Sequence, residues 1–140
     1  MTISTFASAS ATRGGTTEYR PGICNIGPEE IARRRMAGHI GLLATIVLFA
    51  VLVAFAAPPL LRLVVALPAA AAASGYLQAR LRFCAGFGSR GVFNFGRVGQ
   101  MEDVADHDAR RRDRAKANQI GLASLLIGGA VGVVAAFVPL

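Results

Sequence analysis

Four side chains in this sequence are of the types that bind transition metals or carry redox chemistry. They are Cys24, His39, Cys84 and His107. Two thiolates with two imidazoles form a ligand set that tetrahedral zinc accepts. The chain contains no C-x-x-C and no H-x-x-x-H, so a local zinc finger is excluded. Any metal site at these residues would have to be assembled by tertiary structure.

Two other interpretations of these residues stay open. His39 could be an axial ligand of a tetrapyrrole at a membrane edge, although no second axial ligand is evident. Alternatively, His39 forms a hydrogen bond to a neighbouring helix or a lipid headgroup, and both cysteines are reduced, unreactive thiols. The sequence favours this last interpretation, in which the protein holds no cofactor.

Catalytic residues are not evident elsewhere in the chain. Five of the eight acidic residues lie between residues 102 and 113, and the long apolar stretches contain no Asp or Glu. Proton-coupled transporters usually carry ionisable side chains within their spans. The sequence therefore disfavours that class of transporter, and an enzymatic activity is not expected.

A cluster of three consecutive arginines stands immediately before a long apolar run. These residues are Arg33, Arg34 and Arg35. Pro28 followed by Glu29 and Glu30 is typical of a helix start, where a missing N–H is harmless and negative charge is favoured. Each residue turns a helix by about 100°, so the three guanidinium groups would surround it and could meet anionic lipid headgroups. The sequence favours a simpler role, fixing membrane orientation without a specific lipid.

The segment from residue 82 to residue 100 combines five glycines, four phenylalanines and three arginines. Residues 86–91 match G-x-G-x-x-G, but a dinucleotide site needs a βαβ unit, for which this chain has no room. Weaker alternatives are a backbone nest for phosphate and stacking of single-stranded RNA on Arg and Phe. We expect instead that the phenylalanines dip into a membrane interface or pack on helix ends.

The composition points to a membrane protein. Hydrophobic residues make up 54% of the 140 residues and charged residues 16%, against about 25% charged in soluble domains. About 20 apolar residues in a helix cross a hydrocarbon core of about 30 Å. The sequence therefore predicts an all-α integral membrane protein with three transmembrane helices, a cytoplasmic loop and a short polar helix over residues 101–117 that runs into the third span. The predicted spans are residues 36–57, 60–81 and 119–138.

The basic residues predict the orientation. Fourteen of the fifteen Lys and Arg lie in residues 1–35 and 80–116, and Arg62 is the exception. The positive-inside rule then places the N-terminus in the cytoplasm and the C-terminus outside the inner (plasma) membrane. Residues 1–18, rich in Ser, Thr and Ala, are predicted to be a disordered tail, and residues 19–140 a single membrane domain.

Each predicted span carries a face of small residues. Gly128 and Gly132 form a G-x-x-x-G in the third span, and Gly38 and Gly41 lie together in the first. Small residues let membrane helices approach closely. We therefore expect these glycines to mediate helix packing, within the chain or against a partner.

From these observations the sequence predicts a non-enzymatic accessory or assembly subunit of a larger membrane complex. Its expected partners are the lipid bilayer and other membrane subunits or a second copy of itself, and nucleic acid is not expected. The alternative is a metal- or tetrapyrrole-binding redox module at the cytoplasmic membrane edge, built on the cysteines and histidines named above.

Overall fold

The computed structural model describes residues 18–139 as three long helices that carry an irregular head at one end. The head consists of residues 18–27 and 82–106. Nearly all of the predicted tail, residues 1–17, lies outside the described residues. In chain order the elements are α1 (Pro28–Ala54), α2 (Pro59–Arg62), a 3-10 turn (Leu63–Val65), α3 (Ala66–Leu81), α4 (Ala85–Arg90), β1 (Val92–Phe93), β2 (Glu102–Asp103) and α5 (His107–Phe137).

Three helical segments are long and apolar enough to cross a membrane, as predicted. They are Pro28–Ala54, Pro59–Leu81 and His107–Phe137. The first ends earlier than expected, because Ala56 takes a left-handed conformation and Pro58 and Pro59 follow. The 3-10 turn lies just before Pro68, whose ring removes the α-helical hydrogen bond to Val64 and crowds its carbonyl.

The predicted loop contains more regular structure than expected. Residues 82–100 contain α4 and β1, and β1 pairs antiparallel with β2, so the fold is not purely helical. The polar helix begins at His107 rather than at residue 101, and it continues into the third span as α5, as predicted. Asp106 begins α5 because its carboxylate accepts hydrogen bonds from the backbone N–H groups of Asp108 and Ala109.

Two of the four phenylalanines of this segment, Phe83 and Phe87, pack inwards, one of the two arrangements expected of them. Phe83 is fully buried, in a cluster with Ala117 and Ile120 of α5. Phe87 packs with Ile26 and Cys84. The head is therefore joined to the helices by an apolar core of its own.

Helix α3 lies between α1 and α5 and packs against both, whereas α1 and α5 have no comparable contact with each other. Glycines allow α3 to approach α1 closely. A Cβ added to Gly75 would come within 2.5 Å of the Gly38 backbone nitrogen and 2.8 Å of the Arg34 carbonyl oxygen. A Cβ on Gly41 would lie 2.7 Å from the Ala72 nitrogen. Only glycine permits this spacing of the two backbones.

Glycines also allow α5 to approach α3 closely. A Cβ on Gly128 would lie 2.5 Å from the Cβ of Ala70, and one on Gly132 would lie 2.8 Å from that of Ala66. Buried α5 residues facing this contact include Ser124 and Ala135. Both helix–helix contacts thus consist mainly of small side chains and backbone, with the Tyr76 ring packed on Gly38 as the large side chain of the α1–α3 contact.

At the end of the helices away from the head, Arg62 is buried and holds two chain segments together. Its Nε donates to the carbonyl oxygen of Ala57 at 2.8 Å, and Nη1 donates to that of Val138, also at 2.8 Å. Arg62 therefore ties the turn after α1 to the residue that follows α5.

A glycine exchange tests the close approach of α1 and α3. Gly75→Ala should destabilise the protein by about 1–3 kcal/mol, because the added methyl meets backbone atoms that cannot move aside. The matched control is Gly129→Ala in α5, where an added Cβ meets nothing within 4 Å. Alanine there should be neutral or stabilising by up to about 1 kcal/mol. The free energy of unfolding in detergent distinguishes them, and equal stability of the two variants would contradict this packing.

Candidate functional site

The first part of the head is fixed to the end of α3 by a buried asparagine. Oδ1 of Asn25 accepts a hydrogen bond from the Cys84 backbone N–H at 2.7 Å, and Nδ2 donates to the Cys84 carbonyl oxygen at 3.1 Å. The Asn25 backbone N–H donates to the carbonyl oxygen of Arg82 at 3.2 Å. The side chain and backbone of Asn25 therefore satisfy backbone groups of Arg82 and Cys84, which follow the end of α3.

A second buried asparagine, Asn94, joins this segment to the loop after β1. The backbone N–H of Gly27 donates to the Asn94 carbonyl oxygen at 2.8 Å, and the Asn94 N–H donates to that of Asn25 at 3.0 Å. The Asn94 side chain accepts a hydrogen bond from the Gly96 N–H at 2.9 Å and donates one to the Arg97 carbonyl oxygen at 2.8 Å. Residues 94–97 are thereby held over the start of α1.

A buried carboxylate in α5 anchors the start of the described chain. Asp113 accepts a hydrogen bond from the Tyr19 hydroxyl at 2.7 Å and from the Gly22 N–H at 2.6 Å. The Tyr19 ring stacks on Phe93, with ring centroids 4.7 Å apart. Burial and then the Asp113 carboxylate raise the pKa of the Tyr19 phenol far above its ordinary value of about 10.

Beside these anchors lies a polar cavity of about 330 Å³ that is partly open to solvent, which we call the Glu30 cavity. It lies beneath residues 98–101, between the first turns of α1 and helix α4. Its charged lining consists of one carboxylate and three guanidinium groups. The residues that line it are Glu30, Arg33, Arg34, Cys84, Gly86, Phe87, Arg90, Val98, Gly99 and Met101.

The Glu30 side chain is 1% exposed, and neither of its carboxylate oxygens has a hydrogen-bond partner among the described residues. Oε1 lies 3.8 Å from Nη1 of Arg33, and Oε2 lies 3.9 Å from Nη2 of Arg34. These distances permit ion pairing but are too long for the hydrogen bonds of about 2.8 Å that such pairs form. Glu30 is therefore charge-compensated but lacks hydrogen-bond donors.

Arg34 is held in place by the opposite wall of the cavity. Its Nη2 donates to Sγ of Cys84 at 2.9 Å, and its guanidinium carbon lies 6.0 Å from the centroid of the Phe87 ring. Nε of Arg34 is buried without a hydrogen-bond partner in the described part of the chain. The cavity thus contains both an unsatisfied acceptor group and an unsatisfied donor.

The three arginines predicted to meet lipid headgroups have different surroundings. Arg33 is exposed at the rim of the Glu30 cavity, and Arg34 points into it. Arg35 lines a separate cavity of about 420 Å³ with His39, Tyr76 and Arg80. Binding of lipid headgroups to this cluster stays a prediction.

The residues predicted as metal ligands are dispersed over different contacts. Nδ1 of His39 lies 2.6 Å from the Tyr76 hydroxyl, a hydrogen-bond distance. Cys24 and Cys84 are buried free thiols, and His107 begins α5 beside another cavity. Within residues 18–139, no three His, Cys, Asp or Glu side chains are grouped so that they could hold a metal ion. A metal centre at these four residues stays a prediction, and the structure does not bring the four side chains together.

Sequence reasoning missed the roles of Glu30 and Asp113. Glu30 was expected to interact only with the helix dipole, and its burial results from residues far along the chain. The spacing of Glu30 and Arg34, four residues apart on one helix face, was the available signal. Asp113 is the only acid within the basic run from Arg110 to Lys116, and this isolation is the corresponding signal.

Comparison with known proteins gave no match to a protein-family model, a curated protein or a solved structure. The function must therefore be inferred from the geometry of the chain itself.

The Tyr19–Asp113 contact predicts a loss of stability at alkaline pH. Because the pKa of Tyr19 is raised by folding, this contribution is present below pH 10 and declines as pH rises above it. Tyr19→Phe keeps the ring but leaves the Asp113 carboxylate one donor short. It should cost about 1–3 kcal/mol at neutral pH and flatten the alkaline decline.

The measurement is the free energy of unfolding in mild detergent between pH 8 and pH 11. Tyr76→Phe, which removes the other tyrosine hydroxyl, is the control and should keep the wild-type decline. If the free energy of unfolding declined equally with pH in Tyr19→Phe and wild type, the Tyr19 phenol would not be the cause of the decline.

Proposed function

We propose that this chain is a multi-pass membrane protein that serves as an accessory or assembly subunit of a larger membrane complex. One observation carries the membrane assignment. The helix contacts bury Gly, Ala, Ser and Thr, while large apolar residues such as Ile40, Leu43 and Leu125 are 63%, 64% and 67% exposed. Soluble proteins bury their Leu and Ile, whereas small residues at helix contacts are typical of membrane bundles.

The distribution of charge supports an orientation with the head in the cytoplasm. Among the described residues, every Lys and Arg except Arg62 lies in the head or in the adjoining helix ends. Basic residues near span ends are retained on the cytoplasmic side. Both the N-terminus and the 80–116 segment would then be cytoplasmic, with the residues after α5 on the outer side of the plasma membrane.

The row-like arrangement of the helices supports an accessory role. Helix α1 buries only Glu30, Gly38, Gly41 and Thr45, all towards the rest of the chain, and exposes most of its apolar circumference. A row with α3 in the middle leaves the outer faces of α1 and α5 to lipid or to the apolar helices of other subunits. Within the described residues, the spans contain no Asp, Glu, Lys or Arg over residues 36–54, 63–79 and 117–137.

The redox-module alternative gains no observation that favours it. His39 is paired with Tyr76, and within residues 18–139 neither buried cysteine belongs to a group of three His, Cys, Asp or Glu side chains that could hold a metal ion. We therefore retain the accessory role as the proposal.

The orientation is tested by labelling introduced cysteines. Ser89→Cys places a thiol on the exposed surface of the head, and Pro139→Cys places one after α5. The native Cys24 and Cys84 are 2% and 1% exposed and give a low background. An impermeant maleimide applied to intact cells should label Pro139→Cys at once, and Ser89→Cys only after the membrane is opened. The reverse pattern would overturn the orientation.

The accessory role is tested by site-specific photo-crosslinking in native membranes. A photoreactive residue at Leu43 of α1 or at Leu125 of α5 should give a discrete adduct with another membrane protein or a second copy. Leu67, 71% exposed on the central helix α3, is the matched position and should react mainly with lipid. Lipid adducts alone at all three positions would contradict a role as a subunit.

A further inference from the structure

The Glu30 cavity holds unsatisfied hydrogen-bonding groups of opposite kinds. Both carboxylate oxygens of Glu30 are buried without a donor, and Nε of Arg34 is buried without an acceptor, within the described residues. Burying charged groups without hydrogen bonds is costly, so the protein gains if something else supplies them. The missing partners are a donor directed at Glu30 and an acceptor directed at the arginines.

A ligand that supplies both partners must itself carry both charges. A primary ammonium group offers three N–H donors and a positive charge to the Glu30 carboxylate. On the other side, Arg33, Arg34 and Arg90 present three guanidinium groups to the same cavity. A phosphate has enough oxygens to accept from several guanidinium groups at once, often in the bidentate geometry that arginine favours.

We propose that the Glu30 cavity binds a phosphoethanolamine group, with its ammonium on Glu30 and its phosphate on the surrounding arginines. The volume of about 330 Å³ is within the range of about 300–1,000 Å³ that is usual for ligand pockets. Cys84 and Phe87 hold Arg34 at one wall, so the guanidinium is positioned before the ligand arrives.

The position of the cavity suggests where such a group would come from. Glu30 and Arg34 lie in the turns of α1 just before its apolar run begins at Met36. If the proposed membrane placement is correct, this is the depth of phospholipid headgroups on the cytoplasmic side. Soluble phosphoethanolamine offers the same chemistry without a membrane, so the binding site itself does not depend on the proposed function.

The test compares headgroups on the full chain, purified and freed of bound lipid. It is incubated with vesicles of phosphatidylcholine that contain either phosphatidylethanolamine or phosphatidylglycerol, and retained lipid is measured by mass spectrometry. Phosphatidylcholine has methyl groups in place of the N–H donors, and phosphatidylglycerol has a phosphate without an ammonium. We expect about tenfold preference for phosphatidylethanolamine over both, the size of effect that one charge-assisted hydrogen bond produces.

Calorimetry with soluble phosphoethanolamine and phosphocholine separates the two sources. Binding of soluble phosphoethanolamine but not phosphocholine, with no lipid preference, supports the site with a soluble ligand. Preference among lipids without binding of the soluble compound supports a headgroup site. Equal retention of phosphatidylethanolamine and phosphatidylcholine together with no soluble binding overturns the proposal. That result leaves the proposed membrane orientation untouched.

Variants then locate the binding. Glu30→Gln should reduce the preference for the ethanolamine compound from about tenfold to near one, whereas Glu102→Gln, an exposed carboxylate on β2, should keep it. Because loss of a buried carboxylate can disturb folding, Arg90→Gln provides a second variant at an exposed residue of α4. The Arg90→Gln variant should retain severalfold less phosphatidylethanolamine than wild type, at an unchanged melting temperature. Wild-type retention and preference in both Glu30→Gln and Arg90→Gln would overturn the proposal.

Discussion

The close approach of α1 and α3 at Gly38, Gly41 and Gly75 is the constraint on which the rest of the structure depends. At Gly75 the two backbones lie too close together to admit a methyl group between them. The same contact touches the carbonyl oxygen of Arg34, one turn from Glu30. It therefore sets the distance between the charged start of α1 and the chain that leaves α3 through Cys84. A wider spacing would move Arg34 away from the Cys84 thiol at the wall of the Glu30 cavity.

Polar contacts rather than apolar packing determine how the head sits on the helices. Asn25, Asn94 and Asp113 are buried, and each is hydrogen-bonded to another segment, Asn25 and Asp113 through their side chains and Asn94 through its backbone. Such groups are costly if left unpaired, so these contacts specify one arrangement of the head more sharply than its small apolar clusters could. Glu30 is the exception, because it is equally buried but has only distant arginines as partners. That contrast is what singles out its cavity as a binding site.

The long helices could be predicted from the sequence because their signal is local. Charge-free stretches of sufficient length determine a span, and proline and left-handed residues determine where it ends. The glycines of the first and third spans could be recognised by spacing, although their partners on α3 could not. The structure of the head could not be predicted from the sequence, because Asn25, Cys84 and Asn94 are brought together only by tertiary structure. For the same reason, the sequence could suggest that Cys24, His39, Cys84 and His107 form a site, but could not place them.

The central claim is that the exposed Leu, Ile and Val side chains of α1 and α5 lie within the bilayer, where they meet lipid or another subunit, with the charged head outside it. The most direct measurement is the environment of spin labels placed singly at Leu43, Val47 and Leu125 in vesicles. Each label should be accessible to dissolved oxygen and shielded from a water-soluble nickel complex, while a label at Ser89 should show the opposite behaviour. Free access of the nickel complex to the labels on α1 and α5 would contradict the membrane placement.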